Sequence, residues 1–305
     1  LGEYDGKQYV LPYFLSVTGW WYNPKLFADN GWTPPKTYEE LLALCDKIKA
    51  KGIAPITFQG KYPDYSLEGF LVPWIISAGG NAALDDCQNL KPGAWKSDAV
   101  LTAAKMVAQL RDLGYLQKGA TGMDHTQAQT EFVNGRAALV PCGSWLYAEM
   151  QSKMPEGTEV EFMLPPPLAG GVGDRSAVGI RIEPWMVPAK AKNPKQGIEL
   201  FKYMTTLEKA KQFVTEKGTL MAIKNSEQVT LPKHLQKAAD AYASSTALWS
   251  AEYRSWYKGF NKELEGAMAS LLAGDLSPEA FCDRVEAAAT ATREDEDVVK
   301  RTYQH

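Results

Sequence analysis

The passage from Thr126 to Trp145 restricts the fold more than any other part of the sequence. Thr126–Val133 has the pattern of a helix, and Asn134-Gly135 is a turn signal that stops it. Ala137–Val140 is a run of small and branched apolar residues and reads as a buried strand. Pro141-Cys142-Gly143-Ser144 then leads directly to Trp145. A helix feeding a buried strand across so short a turn is a unit of an α/β layer, and loops at strand ends are where such layers hold ligands. A large aromatic just past the strand end is well placed to line a cleft; the alternative is that Trp145 fills a gap beneath its own loop.

The rest of the chain repeats this alternation. Tyr4–Lys7 reads as a turn and Gln8–Tyr13 as a strand, which Pro12 is expected to draw out of its sheet. Thr18–Pro24 is an aromatic cluster in extended chain. Thr37 and Glu40 form a capping box for a helix that carries Leu41, Leu44, Cys45 and Ile48 on one face and ends at Gly52. Ile53–Phe58 reads as a short strand, Leu67–Ala78 as a buried helix ending at Gly79-Gly80, and Asp85–Trp95 as a surface excursion. A helix capped by Ser97 stops at Gly114. Val160–Leu164 reads as a strand running into Pro165-Pro166-Pro167 and a glycine-rich passage to Gly173, the best linker in the sequence. Two helices follow Val178–Val187, at Pro194–Thr205 and Leu207–Lys217, and the chain is helical from Lys233 onward. The order predicts an α/β protein with parallel-type sheets.

Composition narrows the function classes. Of 305 residues, 45% are hydrophobic and 23% charged, so the chain reads as globular rather than disordered. The net charge of -3 gives no electrostatic reason to expect nucleic acid or an anionic membrane as partner. No apolar run approaches the ~18 residues of a membrane span. Four cysteines (Cys45, Cys87, Cys142, Cys282) show no CxxC, and the three histidines lie in no recognisable motif, so neither a metal site nor a redox pair is expected. A disulfide stays open if the protein is exported. The sequence starts at Leu1 without Met or a signal segment, which reads as an internal start.

No nucleophile motif, phosphate loop or dinucleotide fingerprint is present, so no cofactor and no catalytic residue are expected. The only acids worth weighing as a glycosidase pair are Asp64 and Glu183. What stands out instead is a set of aromatic and hydrogen-bonding residues near strand ends: Trp21 and Tyr22, Tyr62, Asp64 and Tyr65, Trp145, Arg181 and Trp185, and Trp249, Tyr253 and Trp256. The apolar faces of sugars pack on aromatic rings while their hydroxyls need carboxylate, amide or guanidinium partners. Each of these rings could equally be core, as Trp20, Trp32, Trp74 and Trp95 are expected to be.

Taken together, YDGKQYVLPY, WWYNPKLF and GWTPPKTYEELLALCDKIKAKGIAPI resemble the carbohydrate-binding family of extracellular solute-binding proteins of ABC importers. FVNGRAALVPCGSW is similar to the family's helix–Gly–strand–loop–Trp segment, VPAKAKNPKQGIELFKYMTTLEKAKQF to its returning helix pair, and SLLAGDLSPEAFCDRVEAAA to its C-terminal helix. QGKYPDY, HTQAQT and PCGSW resemble N-acetylglucosamine/chitobiose-binding members most.

The resemblance implies an α/β fold of two lobes, of the type II periplasmic-binding-protein kind, closing by a hinge on a sugar. It divides the chain into residues 1–16 (end of lobe 1 and hinge), 17–175 (lobe 2), 176–222 (return to lobe 1) and 223–305 (helical region packing mainly on lobe 2). Family members carry a further strand–helix–strand run before the YDGK segment, so the first lobe is expected to be N-terminally incomplete. Trp145 becomes the stacking platform; Tyr65, Asp64, Trp185, Arg181, Tyr22 and Trp256 complete the expected ligand-binding set. The resemblance further implies export to the periplasm or a lipoprotein anchor, a monomer, a permease partner at the membrane, and binding without catalysis. The alternative is a carboxylate-dependent glycosidase acting on similar sugars.

Overall fold

The computed structural model describes residues 3, 4, 6–222 and 229–303. A hairpin of β1 (Glu3–Tyr4) and β2 (Lys7–Gln8) matches the expected turn, with Asp5 outside the described residues, and precedes the strand on which the sheet is built, β3 (Leu11–Tyr22). The seven-stranded sheet runs β4 (Ala54–Ile56), β5 (Ala137–Gly143), β3, β7 (Val178–Trp185), β9 (Leu248–Trp249). β6 (Glu161–Met163) and β8 (Leu220–Met221) also pair with β3.

Two expectations about the sheet fail. The sheet is mixed rather than parallel: β5, β6, β7 and β8 all run antiparallel to β3, while β4·β5 and β7·β9 are parallel. Pro12 also does not take the strand out of the sheet. It sits opposite Pro184, so neither residue at that rung has an N–H to donate, and an irregularity before Phe14 restores the register. The aromatic cluster at Trp20-Trp21 is therefore strand interior. Both rings are fully buried, and each indole N–H finds a carbonyl, that of Gly69 at 2.7 Å for Trp20 and that of Gly143 at 3.0 Å for Trp21.

One face of the sheet is covered by α1 (Pro24–Asp29), α2 (Tyr38–Ala50), α4 (Val72–Gln88) and α5 (Asp98–Asp112), joined there by α12 (Lys258–Ala273) and α13 (Pro278–Glu294). Side-chain caps start these helices at the expected residues: Thr37 accepts from Glu40 N at 3.2 Å, Ser97 from Val100 N, and Ser277 from Ala280 N at 3.1 Å. Glu40, however, accepts from Lys36 N at 2.7 Å rather than from Thr37 N, so the expected capping box is only half formed. α3 (Pro63–Ser66) runs through a π-helical turn, Leu67–Leu71, into α4. That helix kinks at Gly80, whose φ of 75° suits glycine, instead of ending there. The expected surface excursion consequently begins as helix, to Gln88, and Trp95 at its end is wholly buried, its N–H on the Cys87 carbonyl at 3.2 Å.

The other face packs α6 (His125–Val133), α7 (Leu146–Met150) and α10 (Lys233–Ser244) on Val17, Trp21, Val140 and Phe162. A third, smaller cluster gathers Tyr13, Met221 and Val229 with α9 (Leu207–Lys217), which comes after α8 (Pro194–Met204). The Pro165–Gly173 passage lies docked along α4: Trp74 donates to Pro166 O, and Gly173 N to Ser77 O, both at 3.0 Å. The expected boundary at 222/223 falls where the described residues break off. All four cysteines are buried and free.

Candidate functional site

The site grows from the end of β5. Every residue of that strand is buried, and the loop after it is clamped to β3. Ser144 N donates to Val17 O at 2.9 Å, and its hydroxyl accepts from Val17 N at 3.2 Å. Only glycine fits at 143: a Cβ there would lie 1.9 Å from the Trp145 ring, which folds back over its own strand end. The indole is thus half-buried, with its inner edge on the second core cluster. Beneath it, burial pushes the Cys142 thiol up to about 12 despite a hydrogen bond from Gln129, so this cysteine stays a neutral packing group. Gln129, fully buried, also donates to Glu149 at 2.8 Å.

Facing Trp145 is the α3–π turn. Pro63 starts α3 at its first position, where a missing N–H costs nothing. The widened turn after it swings Glu68 inward to 4% exposure; π-turns inside helices often mark functional sites. Gly69 makes this possible, because a Cβ there would meet Pro141 at 2.6 Å.

β7 brings Arg181 between the two walls. Its Nε donates to Glu68 Oε2 at 2.7 Å, and its terminal nitrogen approaches Asp64 Oδ2 at 3.4 Å. Arg254, from α11 (Tyr253–Trp256), donates to Asp64 Oδ2 at 2.7 Å and to the other oxygen of Glu68. Two acids and two guanidiniums thus alternate in one closed network. Burial alone would lower the Arg181 pKa, but Glu68 and Asp64 outweigh it and hold the guanidinium above its ordinary value. Its carbon lies 6.0 Å from the Tyr65 ring and 5.9 Å from the Trp145 ring, within cation–π reach of both. Tyr65 and Trp145 meet edge to face at 6.1 Å. Burial first, then the nearby Cys142 and Glu149, raises the Tyr65 pKa, so its hydroxyl stays a neutral donor.

Four of the seven expected residues, Trp145, Tyr65, Arg181 and Asp64, therefore converge. The first three line an open cavity of about 700 Å³ that also receives Glu149 and Glu183. Trp256 lies on the wall of an adjoining groove of about 1050 Å³ that shares Arg181. Trp185 stands apart, with its ring 4.5 Å from Tyr13 in the third cluster. Tyr22 is further away, 4% exposed against Phe27, its hydroxyl donating to Glu161 and accepting from Lys237. Trp249 and Tyr253 are core residues.

Sequence reasoning missed Glu68, Arg254 and Glu149. The signal for Glu68 was available: a lone acid inside the apolar run Leu67–Leu71 needs a buried partner. Arg254 and Glu149 carry no such mark. Among the described residues no cluster of three potential metal ligands occurs, and no helix is long and apolar enough to cross a membrane.

Comparison with known proteins agrees with this architecture. The diacetylchitobiose binding protein NgcE of Streptomyces coelicolor is 28% identical over 98% of this chain, and a multiple sugar-binding protein of Streptococcus mutans is 28% identical over 72% of it. The chain spans 65% of the length of the first and 52% of the second. A solved chitin oligosaccharide binding protein superposes with a TM-score of 0.83 at 25% identity, over 95% of this chain and 72% of that one. Residues 1–211 match the bacterial extracellular solute-binding protein family, and the chain belongs to that family.

Proposed function

We propose that the chain is the sugar-capturing part of the binding subunit of a bacterial ABC importer, and that its ligand is an N-acetylglucosamine- or chitobiose-like amino sugar or short oligosaccharide. The observation that carries this reading is the placement of Arg181 beside the rings of both Trp145 and Tyr65 on the wall of an open cavity. Flat rings match the apolar face of a pyranose, and a guanidinium fixed by Glu68 offers donors to its hydroxyl or acetamido oxygens. The names of the relatives, which include diacetylchitobiose and chitin oligosaccharide binders, support the choice of sugar.

The mechanism is capture and then closure. Sugar bound to the Trp145 wall would be covered by the opposing lobe, and preferential binding to the closed form would report occupancy to the permease. Residues 1–16 and 176–222 would belong to the first lobe and its hinge, and residues 17–175 and 223–305 to the second. The protein would act outside the cytoplasm, as a monomer, without chemistry on its ligand.

A thermal-shift panel of sugars tests the reading. A ligand at 100 times its dissociation constant stabilises the folded state by about 2.7 kcal/mol, a clear rise in melting temperature. A response to maltose- or xylose-type oligosaccharides with none to any amino sugar would refute the sugar assignment.

A further inference from the structure

Two more rings adjoin the cavity wall, and neither has a role in packing the core. Tyr62 is 45% exposed, and His125 is half-buried at the start of α6. His125 lies parallel to Tyr65, with centroids 6.3 Å apart and planes 7° from parallel. Tyr62 completes a triangle, 5.9 Å from His125 and 6.4 Å from Tyr65. Tyr65 is thus shared between two aromatic sets, Trp145 on the cavity side and Tyr62 with His125 beyond the rim.

The outer set is held rigidly. Gly60 N donates to Ala120 O at 3.1 Å and Lys61 N to Met123 O at 3.0 Å, which ties the Tyr62 loop to the loop before α6. The loops touch so closely that a Cβ on Gly60 would fall 2.3 Å from Thr121 Cα. Asp124 and Gln127 cap α6 reciprocally, at 2.8 and 2.9 Å, and so fix the backbone that carries His125. Ordering a loop around a ligand costs free energy; here the backbone that carries both rings is already tied down, which lowers that cost.

From this geometry we infer that Tyr62 and His125 form an outer subsite that takes a further sugar ring of an oligosaccharide whose inner ring lies on Trp145. The inference rests on the sugar-binding reading above and adds a direction of extension: from the cavity, across Tyr65, toward the N-terminus of α6. The ligand chemistry is a β-linked N-acetylglucosamine chain longer than two units.

Calorimetric titration of the whole chain with diacetylchitobiose and with chitotetraose tests it, alongside a Tyr62→Ala/His125→Ala double variant checked for an unchanged melting temperature. The unaltered chain should bind the tetrasaccharide about tenfold more tightly than the disaccharide. The double variant should keep its disaccharide affinity and lose that increment. Disaccharide binding with no gain on lengthening, or an equal loss for both ligands in the variant, would overturn the outer subsite while leaving the inner site standing. Binding of neither sugar would overturn both readings.

Discussion

The Trp145 ring covers the one position on its own strand end that carries no side chain: a Cβ on Gly143 would come within 1.9 Å of it. The platform is therefore set by a glycine two residues earlier, which makes the pair separable by mutation. Trp145→Ala should lower sugar affinity by at least about a hundredfold while costing on the order of 1–2 kcal/mol of stability, because the ring is only half-buried. Calorimetry for both quantities checks it; collapse of the fold with binding intact in what survives would mean that Trp145 is core.

Gly143→Ala should do the reverse in origin and the same in effect. The added methyl expels the indole from its seat and strains the Ser144 loop on β3, at a cost of about 1–3 kcal/mol. Sugar binding should fall although every contacting side chain is retained, and the tryptophan emission spectrum should shift toward that of an exposed ring. Unchanged binding would remove Trp145 from the site.

Glu68 bears on both stability and affinity. Its side chain is 6% exposed and holds two guanidiniums. Glu68→Gln leaves Arg181 with Asp64 at 3.4 Å as its remaining anion, and should cost about 2–3 kcal/mol, less than breaking a fully buried pair because Arg181 keeps some solvent contact. Chemical denaturation measures this, and a second expectation accompanies it: sugar affinity falls with the loss of a fixed Arg181. A stable variant with undiminished affinity would deny the network any part in binding.

Catalysis should be absent. Asp64 is a hydrogen-bond acceptor for two guanidiniums, and Glu183 lies on an exposed stretch of β7. Prolonged incubation with diacetylchitobiose should leave the disaccharide intact by chromatography. Release of monosaccharide, abolished by Asp64→Asn or Glu183→Gln, would establish the glycosidase alternative.

His234 sets a pH limit. It stacks on Tyr147 with centroids 3.6 Å apart, its Nε2 has no hydrogen-bond partner, and burial lowers its pKa from 6.5 to about 4. The unfolded chain takes up the proton near 6.5 and the folded one only near 4. The contribution is whole above pH 6.5 and is lost progressively as the pH falls to 4, amounting to about 1–2 kcal/mol once partial exposure is allowed for. His234→Phe, which keeps the stack, should flatten the decline in melting temperature across that window.

How far the sequence spoke can be judged from particular residues. Helices with side-chain caps at Thr37, Ser97 and Ser277 were legible because capping is local chemistry. The strand–Gly–Ser–Trp passage was legible for the same reason. The direction of the sheet was not, since it depends on which distant strands join β3, and periodicity carries no such information. Pro12 misled because the residue opposite it, Pro184, removes the penalty that a proline normally imposes. Of the site, the rings and Arg181 could be nominated by type, but Tyr22 and Trp185 fit the same description and pack elsewhere. Arg254 was invisible: only the fold brings it to within hydrogen-bonding distance of Asp64, 190 positions away.

β3 carries a consequence for how the protein is made. Among the described residues its partners lie later in the chain, from Ala137 in β5 to Val178 in β7 and Leu220 in β8. A ribosome therefore delivers Val17, Trp20 and Trp21 long before these later strands, so an apolar ribbon waits for the partners that help to bury it. Such non-local pairing is slow to form. The nascent chain would have to be kept from associating through this ribbon until β7 is complete, and substitutions that delay that pairing would lower yield without touching the finished structure.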